Sequence, residues 1–284
     1  MSEPQSPSRE SANRIGRHIS LGFQNYIDHW QEWILPMLLA SAIAILSMLC
    51  CWLPYFLVLG PITCGLYCCA ISALKNRPFG TAELNRGWKS AGSSIAASLF
   101  ISFLQVIPVV ILLGGFFVFL FACGAMMPSG PIDNPRTAVE TADDVDRPGD
   151  GPEQFEEPPP EAIFAVLCTM MAFYAGLFLA MIVCWAWALW LTTRTMFVFP
   201  LIADGRCGFT AALRQSWTQT RQGFWELLVI NLVAGFIAMM GMYAMYIGVI
   251  FTLPIYFTII ASVYEERFQT AEEPGTEEYA GGGS

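Results

Sequence analysis

Histidine is almost missing from this chain: His18 and His29 are the only two in 284 residues. A catalytic zinc centre usually takes two or three imidazoles, so this chemistry has little to build on. Charge is scarce too. Only 13% of residues are Asp, Glu, Lys or Arg, about half of the ~25% usual in soluble domains. There is no phosphate-cradling glycine loop and no dinucleotide fingerprint. No basic stripe exists for nucleic acid, so none is expected as a partner. Above all, no ionisable residue lies in the middle of a long apolar run. Proton- and ion-coupled transporters usually carry one there.

The apolar runs themselves are abundant. Ile34 to Leu53, Tyr55 to Leu74, Ile95 to Met127, Ala162 to Leu191 and Leu227 to Tyr264 are each uncharged. A hydrocarbon core about 30 Å thick is crossed by ~20 helical residues. Without water to bond the backbone, such runs must be helical. The expected class is all-α, a polytopic membrane protein with six transmembrane helices. The first 18 residues are polar and the first apolar run starts near Ile34, so the first span is expected to serve as an uncleaved insertion signal.

The net charge of −9 has a particular location. Residues 128–161 carry ten acidic residues against Arg136 and Arg147, a net −8. The stretch from Glu265 onward carries six acidic residues against Arg267, a net −5. The remainder is therefore +4. With the N-terminus inside, twelve Lys and Arg fall on the inner side and only Arg136 and Arg147 on the outer. That asymmetry predicts both termini in the cytoplasm and an even number of spans.

Composition divides the chain further. Residues 1–13 and 269–284 are polar and read as disordered ends, the latter closing on Gly281 to Ser284, which has the look of a linker. The first membrane half, 14–127, opens on an amphipathic stretch, Arg14 to Trp33. Its Ile15, Ile19, Phe23, Tyr26, Ile27 and Trp30 recur at helical spacing. Spans are then predicted at 34–53, 55–74 and 94–127. The third is long enough to be one kinked helix, with Pro108 and Gly114-Gly115 as kink points, or two short ones. Residues 128–161 read as a disordered acidic loop outside the cell. The second half, 162–268, holds spans at 162–191, 224–244 and 246–264, with an amphipathic helix at 209–224. There Phe209, Leu213 and Trp217 share one face.

Few residues are candidates for a site. Gln105 and Asn231 are uncharged polar groups within apolar runs and suit interhelical hydrogen bonds. Arg194 and Glu226 fall at the same predicted level, where they can snorkel or pair with each other. Phe23, Trp88 and Trp217 suit aromatic anchors at a membrane interface. Asp28, His29 and Glu32 imitate an acid/base cluster but read better as a solvated helix face. Of nine cysteines, only Cys207 lies outside the apolar runs or their edges. The Cys64, Cys68, Cys69 face has no histidine near it, so buried packing is expected and no metal. No cofactor and no catalytic residue is predicted. Membrane lipids and other membrane proteins are the expected partners.

A weak repeat organises these pieces. Leu21-Gly22-Phe23, Arg86-Gly87-Trp88 and Gln215-Ser216-Trp217 each join a small residue to an aromatic one ahead of an apolar run. Leu53-Pro54-Tyr55-Phe56 echoes Leu253-Pro254-Ile255-Tyr256-Phe257. The expected plan is three transmembrane hairpins, each preceded by a cytoplasmic interfacial helix.

The string Pro200-Leu201-Ile202, Asp204-Gly205, Gly208-Phe209, Ala212-Leu213, Ser216-Trp217 and Gly223-Phe224-Trp225 resembles a group of bacterial six-helix membrane proteins. They are the YciC-like families and the membrane domain of certain glycerophosphodiester phosphodiesterases. The likeness covers about residues 15–125 and 162–268. It implies the six-helix fold in a bacterial cytoplasmic (inner) membrane and no activity, since these families have no agreed function. No phosphodiesterase domain is expected here, so that activity does not carry over, and the acidic stretch departs from the short turn expected there. The functional expectation is a non-enzymatic membrane protein in lipid organisation, envelope assembly or a partner-subunit role. A permease-like carrier of an apolar or lipidic substrate is the alternative, marked by a mid-depth cavity on which Gln105 and Asn231 converge.

Overall fold

The structure, a computed structural model, describes residues 7–50, 52–126, 160–243 and 247–269. Every element among them is helical: α1 Pro7–Cys50, α2 Trp52–Leu74, α3 Thr81–Arg86, a 3-10 turn Gly87–Ser90, α4 Ala91–Met126, α5 Pro160–Thr195, α6 Val198–Ala203, α7 Phe209–Arg221, α8 Phe224–Tyr243 and α9 Ile247–Gln269. Six helices are long and apolar enough to cross a membrane. Most of the acidic segment, the extreme N-terminus and the C-terminal tail lie outside the described residues.

The amphipathic stretch and the first span form one helix, α1, of 44 residues. Its only non-helical backbone angles are at His29 (φ −120, ψ 17). The boundary therefore sits there rather than at 33/34. Pro36 follows two turns later and leaves the Glu32 carbonyl without its helical donor. Residues 7–13, assigned above to a disordered end, are helical, and Pro7 takes the first position, where its missing N–H costs nothing. The third span is a single helix of 36 residues with Pro108 inside it. At 1.5 Å per residue it is about 54 Å long, well beyond a bilayer core.

α2 stops at Leu74 for a local reason. Asn76 takes a left-handed conformation (φ 50). Its N–H donates to Ala73 O (3.0 Å) and the Arg77 N–H to Ser72 O (2.9 Å), which closes the last carbonyls of the helix. The amphipathic helix 209–224 is split: α7 ends at Arg221 and α8 begins at Phe224. Gly223 between them has φ +77, which a side chain would strain. The stretch 192–208, for which no element is predicted above, contains the buried helix α6.

Two compact units are present: residues 1–106 with 187–284, and residues 107–186. The first holds the core. Cys64, Leu66 and Tyr67 of α2, Phe197 and the α6 residues Val198, Leu201 and Ile202, and Phe257, Ile259 and Ile260 of α9 are all buried in it. The second unit consists of 107–126 of α4 and 160–186 of α5. Phe116 and Phe119 meet Phe173 there (centroids 5.4 and 6.1 Å). None of the most apolar window of α5 is buried.

Candidate functional site

In the first unit, charged side chains gather where the start of α1, the end of α9 and the links around α6–α8 meet. Arg17 Nη2 and His18 Nε2 approach Glu266 Oε2 at 2.7 and 3.1 Å. Lys75 Nζ lies 3.2 Å from Glu265 Oε1. Tyr264 donates to Asp204 Oδ2 (3.0 Å), which also receives Arg206. Arg267 Nη1 donates to the carbonyls of Gln219 (3.2 Å) and Gln222 (2.8 Å). Those carbonyls end α7 and have no helical donor, so one guanidinium replaces a C-cap. The more exposed pairs, such as Arg17 with Glu266, contribute little each, about 0–1 kcal/mol. Their joint effect is to tie the two ends of the described chain together.

Deeper, Asn231 joins three helices. It is buried on α8. Its Nδ2 donates to Thr192 Oγ1 and Thr193 Oγ1 of α5, both at 3.2 Å. Its Oδ1 accepts from the Tyr256 hydroxyl of α9 at 3.2 Å. The two threonines donate their own protons to Ala188 O (2.9 Å) and Leu189 O (2.8 Å), so their lone pairs are left to accept. Gln105, the other polar candidate, is partly buried on α4 and takes no part in this group.

The structure does not bring Arg194 and Glu226 together. Glu226 faces Arg14 and Arg267, each at 3.9 Å, because the first turn of α8 looks toward α1 and α9. Arg194, in the last turn of α5, is surrounded by rings instead. Its guanidinium carbon lies 5.9 Å from the Trp190 centroid, 5.4 Å from Trp217 and 4.9 Å from Phe224. Nε and Nη1 are enclosed and have no hydrogen-bond acceptor.

The three anchor candidates are exposed: Phe23 45%, Trp88 42% and Trp217 40%. The close contact is made by the residue before each. Gly22 lies against the backbone of Ile259 on α9, and Gly87 against Pro61 O and Gly65 on α2. Ser216 is buried and donates to Arg194 O of α5 (2.8 Å). The buried line of α7 is thus Ala212, Ser216 and Thr220. It lies one position off the Phe209, Leu213, Trp217 stripe read from the sequence. Phe209 and Leu213 are only partly buried, and Phe209 packs edge-on to Phe100 (5.6 Å).

The remaining polar candidates have structural partners. Glu32 Oε2 accepts from the Phe79 N–H (3.4 Å), and His29 Nδ1 lies 3.1 Å from Asn25 O. The thiols of Cys64 and Cys68 point at Phe199 O (3.8 Å) and Ala203 O (3.5 Å), so α2 uses small sulfur-bearing residues to seat α6. Burial pushes the Cys207 thiol pKa up, away from the thiolate range. Among the described residues no three His, Cys, Asp or Glu are placed to share a metal ion. The sequence reading missed the Thr192–Thr193 pair and the buried His18. Adjacent threonines next to Arg194 at the end of an apolar run were the available signal for the first.

Comparison with protein-family models, with curated proteins and with solved structures gives no match. The resemblance to the YciC-like group therefore rests on the 200–225 string alone.

Proposed function

We propose that this is a multi-pass protein of a bacterial cytoplasmic membrane. In this reading three helix pairs are each led by a cytoplasmic interfacial segment, and both termini are cytoplasmic. It acts without catalysis, in the organisation of membrane lipids or as a subunit beside another membrane protein.

One observation carries the reading. The ion pairs of the charged end and the amide of Asn231 face protein partners, while residues 167–184 of α5 present an apolar surface with none of them buried. A surface of that kind is lipid-facing or partner-facing. Asn231 turns toward Thr192, Thr193 and Tyr256 rather than toward Gln105. That favours an accessory role over a carrier with a polar mid-depth cavity.

The test is purification of the full chain from native membranes, with mass spectrometry of bound lipid and protein. The expected result is enrichment of one phospholipid class over the bulk membrane, or a stoichiometric membrane-protein partner. A bulk lipid profile with no partner would overturn the reading.

A further inference from the structure

Arg194 differs from the other described arginines of the charged end. Arg17 has Glu266, Arg206 has Asp204, Arg86 has Glu83, and Arg14 and Arg267 share Glu226. Arg77, Arg214 and Arg221 are exposed to solvent. Arg194 alone among them is enclosed without an acceptor: Nε and Nη1 are buried and make no hydrogen bond. The rings of Trp190, Trp217 and Phe224 satisfy the guanidinium's charge through their faces. They leave its in-plane N–H groups without acceptors. The side chain is only partly buried, and Nη2 is not among the enclosed atoms. An anion arriving on that side meets Nη2, while Nε and Nη1 stay enclosed; the contact is a single charge-assisted hydrogen bond.

Two further features define the anion. α7, which supplies Trp217, carries Arg214 and Arg221, both exposed, and no acidic residue, so its own charge is positive. Against the guanidinium, Trp217 is 40% exposed, and Trp225, whose ring lies 5.7 Å from that of Phe224, is 76% exposed; large amphipathic rings of this kind are found at headgroup level. A ligand here is negatively charged at one end and apolar beyond it.

We propose that Arg194 and its aromatic surround form a binding site for the phosphate of an anionic phospholipid. The proposal rests on the membrane reading above and names the lipid chemistry it takes. Phosphatidylglycerol is the probe, dioleoylglycerol with the same chains but no phosphate is the comparator, and inorganic phosphate is the third arm. Each is titrated into the full chain in detergent, with native mass spectrometry and thermal unfolding as readouts. Phosphatidylglycerol is expected to stay bound and raise the melting temperature, and the other two to do neither. Arg194→Gln should weaken lipid retention by about tenfold, the loss of a charge-assisted contact. Arg194→Lys keeps the charge without the planar group that stacks on the rings and falls between, which covers the case in which the glutamine variant does not fold. Arg77→Gln, exposed in the link after α2, should bind as the parent does. Equal binding by the parent and both Arg194 variants would overturn the site while leaving the lipid role standing. No preference of the parent for phosphatidylglycerol over dioleoylglycerol would overturn the site; the lipid role is then decided by the lipid and partner content of the chain purified from native membranes. A response to inorganic phosphate equal to that of the lipid would make the ligand a free anion and overturn the lipid assignment.

Discussion

Asn231 shows what a single polar residue does in an apolar helix. It provides two donors and one acceptor contact across three helices, and its threonine partners have other acceptors for their own protons. Asn231→Leu leaves the Tyr256 hydroxyl without that acceptor. The expected loss is about 1 kcal/mol, the range measured for interhelical hydrogen bonds in membranes. Gln105→Leu should change stability by less than about 0.5 kcal/mol, since Gln105 belongs to no such group. Thermal unfolding of the two variants in one detergent makes the comparison, and equal losses would contradict the geometry. Polarity within an apolar run was enough to single out Asn231 from the sequence. It could not separate Asn231 from Gln105, because only packing decides which amide meets acceptors. The same gap explains Arg194 and Glu226. Their levels along the chain matched, but the azimuth of each helix set their partners, and azimuth is not written in spacing alone.

Among the elements, the small residues ahead of the anchors carry the contacts. A Cβ on Gly22 would overlap the Ile259 backbone, and one on Gly87 the Pro61 carbonyl. Backbone cannot yield as a side chain tip can, so Gly22→Val and Gly87→Val should each cost about 1–3 kcal/mol. Phe23→Ala and Trp88→Ala, at exposed positions, should cost less in detergent. A larger loss for the aromatic variants would reverse this ordering. Arg267 predicts a different kind of effect. Arg267→Met removes the donor to the Gln219 and Gln222 carbonyls. Hydrogen exchange should rise around 219–226 and stay unchanged in the buried middle of α2; a uniform rise would show a global role instead. Long apolar runs made the six helices legible, but the break at Gly223 was not, because the amphipathic pattern runs on to Phe224. The offset of α7 by one residue was not legible, because Ala212, Ser216 and Thr220 are too small and polar to register as a buried face. α6 was hidden for a related reason: six residues are too few to show a period.

At the scale of the molecule the open quantity is topology. The described helices establish six candidate crossings, and charge alone orients them. Twelve Lys and Arg lie on one predicted side and two on the other. Removing one of the first four spans would transfer every later cation to the opposite side and erase most of the asymmetry, whereas removing one of the last two would move Arg267 alone and leave eleven against three. The acidic residues 128–161 do not enter that balance, because carboxylates contribute little to orientation. Their Pro, Asp and Glu content leaves little to bury against the ordering entropy. A fluorescent protein fused after Ser284 should therefore fluoresce, and alkaline phosphatase inserted at Ser129 should be active. Exchanging 130–160 for a short Gly/Ser linker should leave both reporters unchanged and the melting temperature of the purified chain within a few degrees. Phosphatase activity from a fusion after Ser284 would place the C-terminus outside and require an odd number of spans. A large drop in melting temperature with both reporters intact would show instead that the acidic segment packs on the helices, and its role would then be structural.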